Sequence, residues 1–163
     1  MKKMAEDKAP LTRAVAALRE EGVEFIFHFY GYRKDAVTEA AAKDIGVDEH
    51  IVVKTLVMET GDGEPLIVLM HGDHQVSTKA LARQIGVKTV KPSSPESAER
   101  LTGYQVGGIS PFGTKRKLPV YVEETILGLP RLVINGGRRG FLLELTPQVL
   151  INILNPTPVN VAR

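Results

Sequence analysis

The run Ile51-Val52-Val53-Lys54-Thr55-Leu56-Val57-Met58 holds one charge, Lys54, among apolar and β-branched neighbours. It reads as a strand. Alternation then puts Lys54 on one face with Val52, Leu56 and Met58, and Thr55 on the other with Ile51, Val53 and Val57. A lysine on an apolar face is costly unless it has a partner or a water-filled cleft. Lysines so placed shift their pKa and hold developing anions. The plainer alternative is an edge-strand lysine that discourages aggregation. A second stretch runs from Gly103 through Tyr104, Gln105, Val106, Gly107, Gly108, Ile109, Ser110, Pro111, Phe112 and Gly113 to Lys115-Arg116-Lys117. Three glycines and a proline between Gly107 and Gly113 make a sharply turning chain whose backbone a ligand can approach. Its N–H groups can form a nest for an anion or an oxyanion. The basic run that follows suits phosphate. The stretch reads as a pocket floor with a basic lip, or as a turn beside a solvated charge run.

Other candidates are weaker. His28 lies in Val23–Tyr30, a strand pattern that places it on one face with Tyr30, opposite Phe27 and Phe29. It could serve as an acid or base, although a lone strand histidine is more often structural. Tyr30, just before Gly31, suits a pocket wall: its ring packs while its hydroxyl reaches out. His71-Gly72-Asp73-His74 offers metal-ligand types, but one turn cannot easily converge them on one ion, and no metal site is expected. Gly136-Gly137-Arg138-Arg139-Gly140 is a second glycine-rich turn. It lacks the Gly-Lys-[Ser/Thr] of a Walker loop and is not GxGxxG.

The elements that must carry these residues alternate along the chain. A helix is expected from Pro10 to Gly22 on the stripe Leu11, Ala14, Val15 and Leu18. Another, capped by Asp35, ends at Gly46. A Ser77-capped helix ends at Gly86, a Ser94-Pro95 helix runs to about Leu101 before Gly103, and a last one follows Thr146-Pro147 to about Leu154. Strands are expected at 23–30, 51–58, 65–70, 87–90, 120–122, 131–135 and 141–145, with a hairpin at Gly61-Asp62-Gly63-Glu64. The order implies an α+β single domain over residues 1–163, with a mixed, mostly antiparallel, curved sheet flanked by short helices, and tails at 1–9 and 156–163.

The chain has 163 residues, 43% of them hydrophobic and 25% charged, enough for one real core. A net charge of +2 gives no overall basic field, so a nucleic-acid contact must be a local patch. There is no cysteine, which excludes disulfides and a cysteine nucleophile. No membrane span or secretory signal is visible, and a cytoplasmic location is expected.

Val53-Lys54-Thr55-Leu56, the Gly-Gly-Ile-Ser-Pro loop at 107–111, Asn135-Gly136-Gly137-Arg138-Arg139-Gly140 and Glu144-Leu145-Thr146-Pro147 stand in this order. Together they resemble the YbaK/EbsC family of aminoacyl-tRNA editing domains, over about residues 11–155. The resemblance implies a compact domain with a cleft over a curved mixed sheet, acting on mischarged tRNA. It implies a freestanding form working in trans, with a prolyl-tRNA synthetase as an optional partner and no cofactor. The Lys-Thr-Leu signature is similar to the branch that clears Cys-tRNA(Pro), where the substrate's own thiol attacks the ester and leaves as a thiolactone; with other substrates, such as Ala-tRNA(Pro), water attacks. Many members carry an acidic residue after the second glycine turn, where this chain reads Phe141-Leu142-Leu143.

The roles expected on this basis are as follows. Lys54 holds the aminoacyl-adenosine end, and the backbone of Gly107, Gly108 and Ile109 polarises the carbonyl. Ser110, Pro111, Gly136 and Gly137 shape the pocket and Tyr30 walls it. Lys115, Arg116, Lys117, Arg138 and Arg139 meet acceptor-stem phosphates. Two other classes remain open: a non-catalytic nucleotide- or RNA-binding module, and a structural partner in a synthetase complex.

Overall fold

The computed structural model describes residues 8–163. The described helices are α1 (Arg13–Glu20), α2 (Val37–Ile45), α3 (Thr78–Ile85), α4 (Pro95–Thr102) and α5 (Pro147–Leu154). The strands are β1 (Ile26–Phe29), β2 (Val52–Thr60), β3 (Pro65–His71), β4 (Val90–Pro92), β5 (Val120–Glu123), β6 (Leu132–Arg138), β7 (Phe141–Leu145) and β8 (Thr157–Val159). Short 3-10 turns occupy Glu49–Ile51 and Glu124–Gly128. None of the described helices is long and apolar enough to cross a membrane.

Several helix ends follow local chemistry. The Ser77 and Ser94 hydroxyls accept from Ala80 N–H and Ser97 N–H, and Pro95 occupies the first turn of α4. Gly46, Gly86 and Gly103 close their helices in the left-handed conformation. Two starts differ from expectation. Thr12, not Pro10, caps α1 through Val15 N–H, which leaves Leu11 79% exposed and outside the helix. α2 begins after Ala36, itself left-handed with φ 56°, and no side chain caps it, so Asp35 does not play that part.

The sheet is mixed, ordered β1-β7-β6-β2-β3-β5-β8, with β4 also on β2. β1–β7, β7–β6, β2–β3 and β2–β4 are antiparallel; β2–β6, β3–β5 and β5–β8 are parallel. β6 and β4 share one edge of β2. β6 pairs only with Val52 and Val53, and β4 only with Met58, Glu59 and Thr60. Between them β2 has no strand neighbour on that side among the described residues.

The expected tail at 156–163 is a correction. β8 pairs with β5, Ala162 bridges to Val76, and Val159 and Val161 are buried. The expected tail at 1–9 lies largely outside the described residues. Gly136 and Gly137 also belong to β6, which runs on through a bulge to Arg138, so the turn proper is Arg139-Gly140.

Both faces of β2 are covered. Val53 and Val57 join the large core with α1, Phe112, Phe141 and Leu150. On the other face Val52 packs with Tyr30, Ala41 and Leu142, whereas Met58 packs with Met70, Leu81 and Val161. Lys54 emerges where these two smaller cores part. It is therefore on a strand inside the sheet, in the stretch where one side of that strand has no strand neighbour among the described residues.

Candidate functional site

A cleft of about 540 Å³ opens over the interrupted edge of β2. Its floor is β2 from Val52 to Met58. Tyr30, Thr38 and Leu142 stand on one side, Pro92, Ser93 and Ala98 on another, and Val106, Gly107 and Ile109 reach across. The size and the mainly aliphatic lining suit a small organic ligand held by a few polar groups.

Those polar groups are short of partners. The Tyr30 and Thr55 hydroxyls are buried with no hydrogen-bond partner among the described residues. Burial raises the Tyr30 pKa more than the nearby Gly140 backbone lowers it, so the phenol stays protonated. The Val57 carbonyl accepts from Ser93 N–H on the open side of β2. Alternation by two then directs the main chain of Thr55 to the same side, into the gap. Lys54 Nζ donates to the His74 carbonyl. Burial lowers its pKa, and the charges of Glu49 and Asp73 pull it partly back.

The glycine loop is built differently, because its polar groups are mostly engaged. The Tyr104 hydroxyl donates to the Phe112 carbonyl, Ser110 Oγ accepts from Phe112 N–H at 3.3 Å, and Gly108 N–H donates to the Gln105 carbonyl at 2.8 Å. This corrects the expected role of Gly108: its N–H is spent inside the turn, and a Cβ there would meet the Arg138–Arg139 backbone at 2.7 Å. No partner is found for Gly107 N–H or Ile109 N–H among the described residues. Both residues line the cleft.

Ser110 and Pro111 are buried and lie outside the cleft lining, so they shape the loop from beneath. Gly136 and Gly137 are likewise scaffold. The Gly136 carbonyl accepts from the Thr12 hydroxyl, and Gly137 N–H donates to Asn135 Oδ1 at 2.7 Å. Asn135 opens the second glycine motif, and the sequence assigns it no role. It lines the cleft, and its Nδ2 donates to the Gly107 carbonyl at 3.3 Å, tying the two glycine segments together.

The basic residues divide. Arg139 Nε donates to the Val106 carbonyl at 2.9 Å, and its guanidinium lies 4.8 Å from the centre of the Tyr32 ring, beside Gly107 at the cleft. Arg138, Lys115, Arg116 and Lys117, exposed like Arg139, are not tied to the cleft loop by their side chains among the described residues. The backbone N–H groups of Lys115 and Arg116 bond to the end of α4, through the Thr102 and Leu101 carbonyls. His28 sits in none of this. Its Nε2 pairs with Glu144 at 2.8 Å, as expected of a structural histidine.

The chain matches the family model described as "Aminoacyl-tRNA editing domain" over residues 34–153. It is 27% identical over 145 residues to EbsC of Enterococcus faecalis, provisionally assigned as a Cys-tRNA(Pro)/Cys-tRNA(Cys) deacylase, and 88% of each chain is covered. It is 31% identical over 118 residues to a proline–tRNA ligase of Geobacter metallireducens, covering 68% of this chain but 20% of that one. A crystal structure provisionally titled a trans-editing enzyme for prolyl tRNA synthetase superposes with a TM-score of 0.83 at 25% identity, covering 93% and 95% of the two chains.

Proposed function

The chain belongs to the aminoacyl-tRNA editing domain family, and from that premise we propose that it is an aminoacyl-tRNA deacylase acting in trans on mischarged tRNA, with Cys-tRNA(Pro) as the preferred substrate. The observation that carries this reading is the pairing of Lys54, at the break in the sheet, with two N–H groups across the same cleft that have no partner among the described residues. An aminoacyl ester is already activated, so catalysis needs positioning and charge stabilisation more than a protein nucleophile. Gly107 N–H and Ile109 N–H polarise the ester carbonyl. Lys54 exchanges the His74 carbonyl for the polar terminal adenosine. The Thr55 and Tyr30 hydroxyls bond the aminoacyl group.

With a cysteinyl ester, the substrate thiol forms the S–C bond and the ester C–O bond breaks. The thiol proton ends on the ribose oxygen, giving a thiolactone and free tRNA. With other esters a water takes the place of the thiol. The cleft lining contains no carboxylate, and Leu142 stands just after the second glycine turn, which favours a small uncharged side chain. Arg139, bonded to the Val106 carbonyl at the cleft rim, meets a terminal phosphate in this reading; Lys115, Arg116, Lys117 and Arg138 extend the basic surface toward the acceptor stem. A prolyl-tRNA synthetase is the natural supplier of the mischarged tRNA.

The test is the decay of Cys-tRNA(Pro) and Ala-tRNA(Pro) with and without the chain, with products separated as thiolactone or free amino acid. Faster loss of the cysteinyl ester as thiolactone supports the full proposal. Loss of the alanyl ester alone moves the substrate, and no acceleration of either favours the binding-module reading.

A further inference from the structure

Three of the chain's four histidines meet at one corner of the fold, outside the cleft lining. His71, at the end of β3, is fully buried. Its Nδ1–H donates to the His50 carbonyl at 2.6 Å, and its Nε2 accepts from the Thr125 hydroxyl at 2.7 Å. This fixes its ring, and the His50 ring stacks on it at 3.7 Å and 7°. His50 in turn presents Nδ1 to Asp73, at 3.0 and 3.2 Å from the two carboxylate oxygens. His74 Nε2 lies 3.9 Å from Asp73 Oδ1. One ligand atom each from His50, Asp73 and His74 therefore falls within 4.8 Å of the others.

We propose that His50, Asp73 and His74 form a binding site for a divalent transition metal of the zinc, cobalt and nickel class. Two imidazoles and a carboxylate are the donor set such ions take. In a tetrahedral shell, donor bonds of about 2.0–2.1 Å put two donors roughly 3.3 Å apart, so His74, half-exposed, has to swing inward by on the order of 1 Å. His71 is the outer-shell group: fixed by two hydrogen bonds, it holds the His50 ring in plane. Three protein ligands leave coordination positions open to solvent. The His74 carbonyl also holds Lys54 Nζ, so an ion here pins the turn on which that lysine rests. The turn alone could not show this site, because His50 arrives from the 3-10 turn before β2.

The test is a titration of the tag-free, metal-stripped chain with Co²⁺, read by visible ligand-field absorption, followed by displacement with Zn²⁺. The expected result is one saturable site. His50→Ala and His74→Ala should each weaken it by more than the roughly 10–100-fold typical of losing a group that only supports a ligand. His28→Ala should leave it unchanged. Melting curves establish that the variants are folded, and Asp73→Asn replaces either one that is not. Absence of saturable binding, or wild-type affinity in a folded His50→Ala or His74→Ala chain, overturns the proposal. The readout is independent of deacylation, so it stands or falls apart from the editing reading.

Discussion

The glycine loop and the exposed edge of β2 face each other across one cleft, yet they treat their polar groups in opposite ways. In the loop, Tyr104, Ser110 and Gly108 spend their hydrogen bonds holding the chain in shape, and Asn135 of β6 braces it through the Gly107 carbonyl. On β2 and beside it, among the described residues, Thr55 and Tyr30 keep buried hydroxyls without partners and Lys54 has a single main-chain acceptor. A buried polar group without a partner costs on the order of 1–3 kcal/mol. The fold bears that cost in side chains on one wall of the cleft, and on the other leaves only the Gly107 and Ile109 N–H groups without a partner among the described residues. The difference separates scaffold from working surface: the loop offers a shaped backbone, and the strand offers side chains in need of a ligand.

The sharpest way to break this comparison is on the loop side. Phe112 is fully buried in the large core, so Phe112→Ala should cost about 3–5 kcal/mol in chemical denaturation. Activity per folded molecule should fall much less. Gly107→Ala comes next, because Gly107 has φ +91° and a Cβ would lie 2.5 Å from the Tyr32 hydroxyl. A loss of roughly 1–3 kcal/mol is expected, with reduced deacylation because the Gly107 N–H moves. On the strand side, Thr55→Val should lower kcat/KM by up to about tenfold, one hydrogen bond's worth, with stability unchanged or raised. A destabilised Thr55→Val chain with full activity would reverse the assignment.

The smallest effect lies at Glu144, far from the comparison. Burial pushes its carboxyl up, but the His28 and Arg131 hydrogen bonds and charges outweigh this and hold it below the usual carboxylate range. A depressed folded pKa gives stability that is present at neutral pH. It is lost as the pH falls through the ordinary carboxylate value of about 4.3 and then through the lower folded one. Glu144→Gln should remove about 1 kcal/mol at pH 7 and flatten the acid limb of the stability profile.

Much of this was legible in the sequence where the cause was local. Ser77, Ser94-Pro95, Gly46, Gly86 and Gly103 mark helix ends by their own chemistry. The alternation around Lys54 told which residues share its face. What could not be read depends on distant chain. Nothing near Thr55 says that β6 leaves β2 at Val53 and β4 joins at Met58. The pairing of Thr157–Val159 with β5 is parallel and non-local. Asn135 looked like the end of a strand until its amide was seen bridging to Gly107, and His50 joined Asp73 and His74 only in the folded chain. Ala36 resisted for a different reason: a left-handed alanine has no sequence signature, and Asp35 beside it had the better capping chemistry.

The central claim, that the strand wall does the work, is tested most directly at Lys54. Single-turnover deacylation of Cys-tRNA(Pro) by Lys54→Ala, run beside its melting curve, separates activity from fold. The account predicts a rate loss of roughly 10²-fold, the scale for mispositioning the ester against the Gly107 and Ile109 N–H groups, with a melting temperature at or above that of the unaltered chain. A folded Lys54→Ala chain that deacylates at the unaltered rate would contradict it.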